Sequence, residues 1–325
     1  MNLKNLNKII EKEPAFRKNQ IEKLIYQDAI DDWDNATVLP LKLREELKKE
    51  TSLKIKAEIF KSKNVEKALI TLEDNSQIET VLMKHGDRTT VCVSSQVGCA
   101  LGCKFCATGK LGFKRNLETE EILEQVLVFK RKERIRNIVF MGMGEPFLNY
   151  DNVLNAVKIL NNENAFNIGA RHISISTVGI TEGIEKLSNE KLQVNLAISL
   201  HAPNNNLRLK LMPISKKYSL ENILKTVNEY IKKTNRKVMF EYTLIDSIND
   251  SIENAKELSK IVKHPLYMVN LIKYNDTEEF KAPSNEKIKR FKNYLEKGGI
   301  NVTERYRFGG DIHAACGQLC LKNNV

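Results

Sequence analysis

The sequence predicts an α/β protein with a run of parallel strands. Two observations carry this. From about Thr90 onward, six strand-like runs fall at 91–97, 137–143, 172–177, 193–200, 238–245 and 267–272. Helix-like segments separate them, the order expected of β/α units. An open barrel of six such units fits, and so does a doubly wound sheet; pattern alone leaves both open.

The elements read in order as follows. Residues 1–53 suggest short helices: Ile21, Leu24 and Ile25 have helical spacing, as do Leu43 and Leu47 after Pro40. Residues 68–83 suggest two strands joined at Asp74-Asn75-Ser76. In the second, Ile78, Thr80 and Leu82 alternate with Gln77, Glu79 and Val81, so Glu79 faces away from Ile78 and Leu82. Ser219 opens a helix whose stripe is Leu220, Ile223, Leu224, Val227 and Ile231. Asp250 opens another, with Glu253 completing a capping box. A last strand at 301–308 leads to a tail that carries Cys316. No internal repeat or low-complexity tract interrupts the chain.

Composition sets bounds. The 325 residues, 42% of them hydrophobic, suffice for a sizeable core. No segment approaches the ~20 apolar residues that span a bilayer. The first ten residues lack the apolar core of a signal peptide. The expectation is a cytoplasmic protein without membrane partners. The net charge of +11 fits a nucleic-acid partner and equally a solvated, lysine-rich surface.

Six cysteines are present: Cys92, Cys99, Cys103, Cys106, Cys316 and Cys320. Structural disulfides are not expected in a reducing cytosol. Cys99, Cys103 and Cys106 follow the first barrel strand with spacing Cys-x3-Cys-x2-Cys. Three thiolates hold three irons of a 4Fe-4S cluster and leave the fourth open. S-adenosylmethionine (SAM) chelates such an iron through its amino and carboxylate groups, and reduction then releases a 5′-deoxyadenosyl radical. Structural zinc would need a fourth ligand from elsewhere. Gly98 and Gly102 make a tight loop at a strand end, where α/β folds place their sites. One β/α unit later, Met141-Gly-Met-Gly144-Glu145-Pro146 offers glycines for close backbone approach and a carboxylate for an ammonium group.

At this point the sequence resembles the RlmN/Cfr family of radical-SAM RNA methyltransferases. The matching text includes Cys92-Val-Ser-Ser-Gln-Val-Gly-Cys99, Cys103-Lys-Phe-Cys106-Ala-Thr-Gly109 and the Met141–Pro146 motif. It continues with Ser174-Ile-Ser176-Thr-Val-Gly179, Ser199-Leu-His201, Leu211-Met-Pro-Ile214 and Asp311-Ile-His-Ala-Ala-Cys316-Gly-Gln-Leu319. The resemblance implies a partial (β/α)6 radical-SAM barrel at 86–275. It adds a small helical and β extension at 1–85 as an accessory RNA-binding region, and a C-terminal extension at 276–325. It assigns Cys99, Cys103 and Cys106 to the cluster, and Gly144, Glu145, Ser176, Ser199, Leu200, His201 and Asn275 to SAM. Cys316 is implied as the methyl-carrying cysteine, Cys92 as its resolving partner and Glu79 as the proton acceptor.

In the family's scheme one SAM methylates Cys316 and a second supplies the radical that activates the S-methyl group. That group then adds to adenine. Cys92 attacks the sulfur of Cys316, releasing product and leaving a transient disulfide. The implied substrate is 23S rRNA, with tRNA as a second, and the implied reductant is a flavodoxin or ferredoxin serving a monomer. An RlmN-type enzyme would methylate carbon 2 of adenine, and a Cfr-type enzyme carbon 8. The tail Arg305-Tyr-Arg307-Phe-Gly-Gly-Asp311 leans toward Cfr, but the greater abundance of housekeeping enzymes makes RlmN-type carbon 2 methylation the leading expectation and carbon 8 the alternative. From another class, an iron-sulfur or zinc RNA-binding protein without catalysis is the alternative.

Blander readings stand beside these. Ser176, Ser199 and Asn275 suit strand-end caps, His201 a satisfied loop histidine and Glu79 a solvated carboxylate. Lys110, Lys114 and Arg115 suit phosphate contacts or a solvated basic edge. Cys320 matches nothing in the family motif.

Overall fold

A continuous ladder of parallel pairings organises the computed structural model, which describes residues 1, 4–275, 279–305, 309–319 and 321. Three helices come first: α1 (Lys4–Ile10), α2 (Ala15–Glu22) and α3 (Leu41–Glu50). The Ile21, Leu24 and Ile25 stripe is buried as the spacing predicts, although the chain passes from α2 into a π-turn at Lys23–Gln27. Leu43 and Leu47 fix α3 to the same small core around Trp33. The Trp33 indole N–H donates to the Thr51 hydroxyl at 2.9 Å.

Three antiparallel strands follow: β1 (Ala57–Ser62), β2 (Val65–Thr71) and β3 (Gln77–His85). The sequence reading missed β1, an edge strand with an exposed pattern and no apolar run. The β2–β3 turn falls at Asp74–Ser76 as expected, with Asn75 at φ +60°. β3 pairs antiparallel with β4 (Arg88–Val93), so this region shares one sheet with the barrel.

The chain then makes a short hairpin of β5 (Gln96–Gly98) and β6 (Phe113–Asn116), with α4 (Ala107–Lys110) between them. The single strand expected at 91–97 is therefore two, broken at Ser94 and Ser95. Tertiary bonds make the break: Gln125 brackets the Ser94 backbone, and Ser95 N–H donates to Met143 O at 2.8 Å.

Helices and strands alternate from there. α5 (Thr119–Lys130) precedes β7 (Asn137–Phe140), α6 (Tyr150–Asn161) precedes β8 (Ile173–Thr177), and α7 (Thr181–Asn189) precedes β9 (Asn195–Ser199). α8 (Asn205–Leu211) and α9 (Leu220–Thr234) precede β10 (Val238–Leu244). α10 (Ile252–Ile261) precedes β11 (Tyr267–Lys273), and α11 (Asn285–Lys297) precedes β12 (Val302–Glu304). The sheet order is β1-β2-β3-β4-β7-β8-β9-β10-β11-β12, parallel from β4 onward. This is the open barrel of β/α units, and the doubly wound alternative is set aside.

Ser219 caps α9 as read, and Leu220, Ile223, Val227 and Ile231 are buried along its stripe. The next helix starts one residue later than expected. Ser251 is its cap and Asn254 closes the box, because the Asp250 carboxylate is taken by Ser247 N–H and Lys287. The last strand is shorter than 301–308, and residues 306–308 lie outside the described set, as does Cys320. Among the described residues no helix is long and apolar enough to cross a membrane.

Phe240, fully buried on the central strand β10, tests this core. Phe240→Ala should cost about 3–5 kcal/mol. Urea unfolding should show it as a lower midpoint at an unchanged slope. A loss below about 1 kcal/mol would mean that the layer between the sheet and its helices is not packed as described.

Candidate functional site

Because β4 and β7 to β11 run parallel, their C-terminal ends share one rim, and their loops build a single cavity there. Cys92, near the end of β4, lines it, as do Cys99, Cys103 and Cys106 on the loop beyond β5. That loop begins at an enforced approach. Gly98 has φ +74°, and a Cβ there would lie 1.9 Å from Gly112 O. Cys99 N–H then donates to the same carbonyl at 2.8 Å. Cys106 N–H closes a turn on Cys103 O at 3.1 Å, and Lys104 N–H ties the loop to Leu211 O at 3.0 Å.

Burial raises the Cys99 thiol to about 11, helped by Cys106. Burial raises Cys103 further, again with its two neighbours contributing. Thiols crowded in this way ionise readily only when cations share the site. Among the described residues no three His, Cys, Asp or Glu side chains converge on one ion. The three thiols line one cavity.

The opposite wall comes from the ends of β7 to β10. Gly144 has φ +95°, and a Cβ there would lie 2.5 Å from that of Gln96. Glycine thus lets the two strand ends touch. Glu145 is buried, and its carboxylate accepts from Phe147 N–H at 3.1 Å and Val178 N–H at 2.9 Å. Burial still lifts it to about 7. Ser176 Oγ donates to Glu241 Oε2 at 2.7 Å and lies 3.1 Å from Ser199 Oγ. His201 has φ +55°, and its Nδ1 accepts from Thr243 N–H at 3.0 Å. Burial lowers it to about 3, so the ring is neutral. Ser176, Ser199 and His201 reach the cavity, whereas Leu200 lies behind the wall, its N–H donating to Glu241 O.

The tail closes the rim. Ala107 N–H donates to Gly317 O at 2.8 Å, Thr108 Oγ1 to Leu319 O at 2.6 Å, and Asn275 Nδ2 to Cys316 O at 3.0 Å. These bonds hold Cys316 over the cavity with its side chain accessible. Surrounding protein raises its thiol to about 11, with Arg305 opposing. Burial raises Cys92 to about 12, again against Arg305. Cys92, Cys99, Cys103, Cys106 and Cys316 are all free thiols here. Among the described residues, two buried oxygens of cavity-lining side chains, Asn275 Oδ1 and Glu241 Oε1, accept no hydrogen bond. They are available to a bound group carrying donors.

Glu79 is not solvated. It is 1% exposed and paired with Lys67 at 2.8 Å. It stands on the same face of β3 as Val81 and Met83, which line the cavity, but is itself covered. Arg115 is bound to Asp74 and Glu121, and Lys114 contacts Asp74, so neither is a free phosphate ligand. Lys110 is half exposed and 3.6 Å from Glu279.

The sequence reading missed Glu241 and Arg305. Arg305 reaches Glu241 at 3.5 Å and Met141 Sδ at 3.4 Å. Its N–H is fixed to Leu271 O at 2.9 Å. A lone glutamate inside the apolar strand Val238–Leu244 was the available signal for the first.

Comparisons with known proteins agree with this geometry. The profile of the Radical SAM superfamily matches residues 93–259. A protein of Dictyoglomus thermophilum named probable dual-specificity RNA methyltransferase RlmN is 46% identical over 316 residues, covering 94% of this chain and 91% of that one. The ribosomal RNA large subunit methyltransferase N of Nitrosopumilus maritimus is 45% identical over 322 residues, covering 94% and 92%. The crystal structure of a radical SAM methyltransferase from Sphaerobacter thermophilus superposes with a TM-score of 0.93 at 43% identity, covering 98% of this chain and 97% of that one.

The Gly98 contact gives a test of the loop. Gly98→Ala should lower the iron bound after anaerobic reconstitution several-fold. Gly102→Ala, which shares the left-handed backbone cost at φ +60° but whose Cβ meets nothing within 4 Å, should keep most of it. Equal iron in both variants would show that the close approach at Gly98 does not shape the thiol loop.

Proposed function

Since this chain belongs to the radical SAM superfamily and, within it, to the RlmN family of RNA methyltransferases, we propose that it methylates carbon 2 of an adenine in 23S rRNA and in tRNA. The observation that carries the mechanism is that Cys92 and Cys316, 224 residues apart in sequence, both line the cavity with Cys99, Cys103 and Cys106. The relatives bear the RlmN name, which favours carbon 2 over the Cfr-type carbon 8 alternative. Membership of an enzyme family sets aside a non-catalytic RNA-binding protein.

Cys99, Cys103 and Cys106 would hold the cluster. Gly144, Glu145, Ser176, Ser199, His201 and Asn275, which line the cavity, would hold SAM, with Leu200 supporting the wall behind them. When bound, a 4Fe-4S cluster and SAM supply the electron and the carbon radical that make an S-methyl group reactive.

The protein's own residues do the rest. Cys316 must ionise to accept a methyl group, and Arg305 offsets part of the burial that opposes this. The docked tail holds Cys316 at the rim, where an unstacked base enters, and limits water. Cys92 sits across the cavity as the thiol that attacks the Cys316 sulfur, forming an S–S bond as the S–C bond breaks. Glu79 is the proposed proton acceptor. Two SAM molecules are consumed per turnover on this reading, one as methyl donor and one as radical source.

Residues 1–85 serve as the accessory RNA-binding region, 86–275 as the barrel and 276–325 as the carrier extension. The net charge of +11 supports a polyanionic substrate. A flavodoxin or ferredoxin supplies electrons to a monomer in the cytoplasm.

The experiment compares Cys316→Ala with Cys92→Ala in the presence of SAM, reductant and rRNA. Cys316→Ala should keep its iron and cleave SAM but give no methylated RNA. Cys92→Ala should accumulate a nuclease-sensitive protein–RNA adduct on a denaturing gel. Normal methylation by Cys316→Ala would remove the carrier role. Normal product with no adduct from Cys92→Ala would remove the disulfide step.

A further inference from the structure

Lys67 and Glu79 form an ion pair inside the protein, and no step described above uses the lysine. The Nζ–Oε1 distance is 2.8 Å, and the side chains are 3% and 1% exposed. The two residues belong to neighbouring strands. Lys67 lies opposite Val81, and Leu69 lies opposite Glu79, so Lys67 is the diagonal neighbour of Glu79 on one sheet face. That face is the one from which Val81 and Met83 line the cavity. Lys67 also lies 5.3 Å from the Phe60 ring centroid. The second carboxylate oxygen accepts from Leu321 N–H at 3.1 Å, a group on the tail beyond Cys316.

A carboxylate removed from water strongly favours its neutral form unless a positive charge or several donors face it. Neutral, it cannot take a proton. The two partners of Glu79 differ in kind. Lys67 is held by β2, a strand paired on both sides, whereas Leu321 belongs to the segment that positions the carrier cysteine. Only the first is a fixed source of charge.

We propose that Lys67 is the positioning residue for Glu79. It sets the positive charge that faces the carboxylate on the cavity face of β3, where the Leu321 N–H of the tail meets the other oxygen. The proposal rests on the reading of Glu79 as the group that receives the proton from the adenine ring. In that transfer the C–H bond breaks, the proton goes to a carboxylate oxygen, and the bonding pair stays with the ring. Lys67 touches neither base nor SAM and acts only through Glu79.

The test uses full-length, reconstituted protein carrying Lys67→Met, Lys67→Arg or Glu79→Gln. Lys67→Met should methylate Cys316 and form 5′-deoxyadenosine at the wild-type rate. Its yield of methylated RNA should fall roughly a hundredfold, the scale of a lost general base. The protein–RNA adduct should accumulate, as it should in Glu79→Gln. Lys67→Arg, which keeps the charge, should restore most of the product. Infrared difference spectra of the protein without RNA give a second reading. Lys67→Met should show a protonated-carboxyl band that disappears in Lys67→Met/Glu79→Gln. Full product from Lys67→Met alongside an inactive Glu79→Gln would overturn the proposal alone, as would absence of that band. Full product from Glu79→Gln would overturn the proton-acceptor reading and the proposal with it.

Discussion

Parallel pairing of the strands from β4 onward is the constraint on which the rest depends. Parallel strands must be joined by crossovers, and each crossover returns the chain to start again at the same edge. Every strand of the ladder therefore ends at one rim. Cys92, the thiol loop, Glu145, Ser176 and Ser199 are far apart in sequence and meet because they sit at or just beyond strand ends. The sheet stays open, with β1 and β12 as its edges. The tail that follows β12 crosses this rim and is pinned there by Asn275, Ala107 and Thr108. Barrel order thus decides where the reactive groups stand, and tail docking decides whether Cys316 joins them.

Three carboxylates are buried near this rim, each compensated differently. Lys67 faces Glu79, whereas Glu241 has the Ser176 hydroxyl and, more distantly, Arg305. Backbone N–H groups serve Glu145, which remains shifted up to about 7. An ammonium group placed beside Glu145 would favour its ionised form and gain an electrostatic contact in a site shielded from water. The same logic holds for the thiols. Burial pushes Cys316 and Cys92 upward, and the Arg305 guanidinium pulls both back. The site is therefore poised to bind cations rather than carrying them already matched.

Much of this was legible in the sequence, for identifiable reasons. Strands buried on both faces show as apolar runs, so β7 to β11 were visible. Crowding of Cys99, Cys103 and Cys106 was visible because one loop supplies all three. Features that depend on distant partners were not. β1 is exposed and lacks an apolar run, and the break after Val93 is made by Gln125 and Met143. The capping slip at Ser251 came from a lysine on another helix, Lys287, that occupies Asp250. Glu241 and Lys67 are charges inside otherwise apolar strands. A single sequence cannot tell such a residue from an edge position, since the partner that makes it tolerable lies on a different strand. Glu79 was placed on the correct face by alternation, yet its burial depends on Lys67 and on Leu321, which the alternation does not reveal.

Whether this cavity directs a methyl group to carbon 2 of an adenine in RNA is decided by mass spectrometry of nucleosides from 23S rRNA that lacks the modification, after incubation with reconstituted protein, SAM and reductant. The expected product is 2-methyladenosine, with the methyl of the first turnover coming from Cys316 when that residue is preloaded with an isotopically labelled methyl group. Exclusive 8-methyladenosine, or a first methyl without the label, would contradict it.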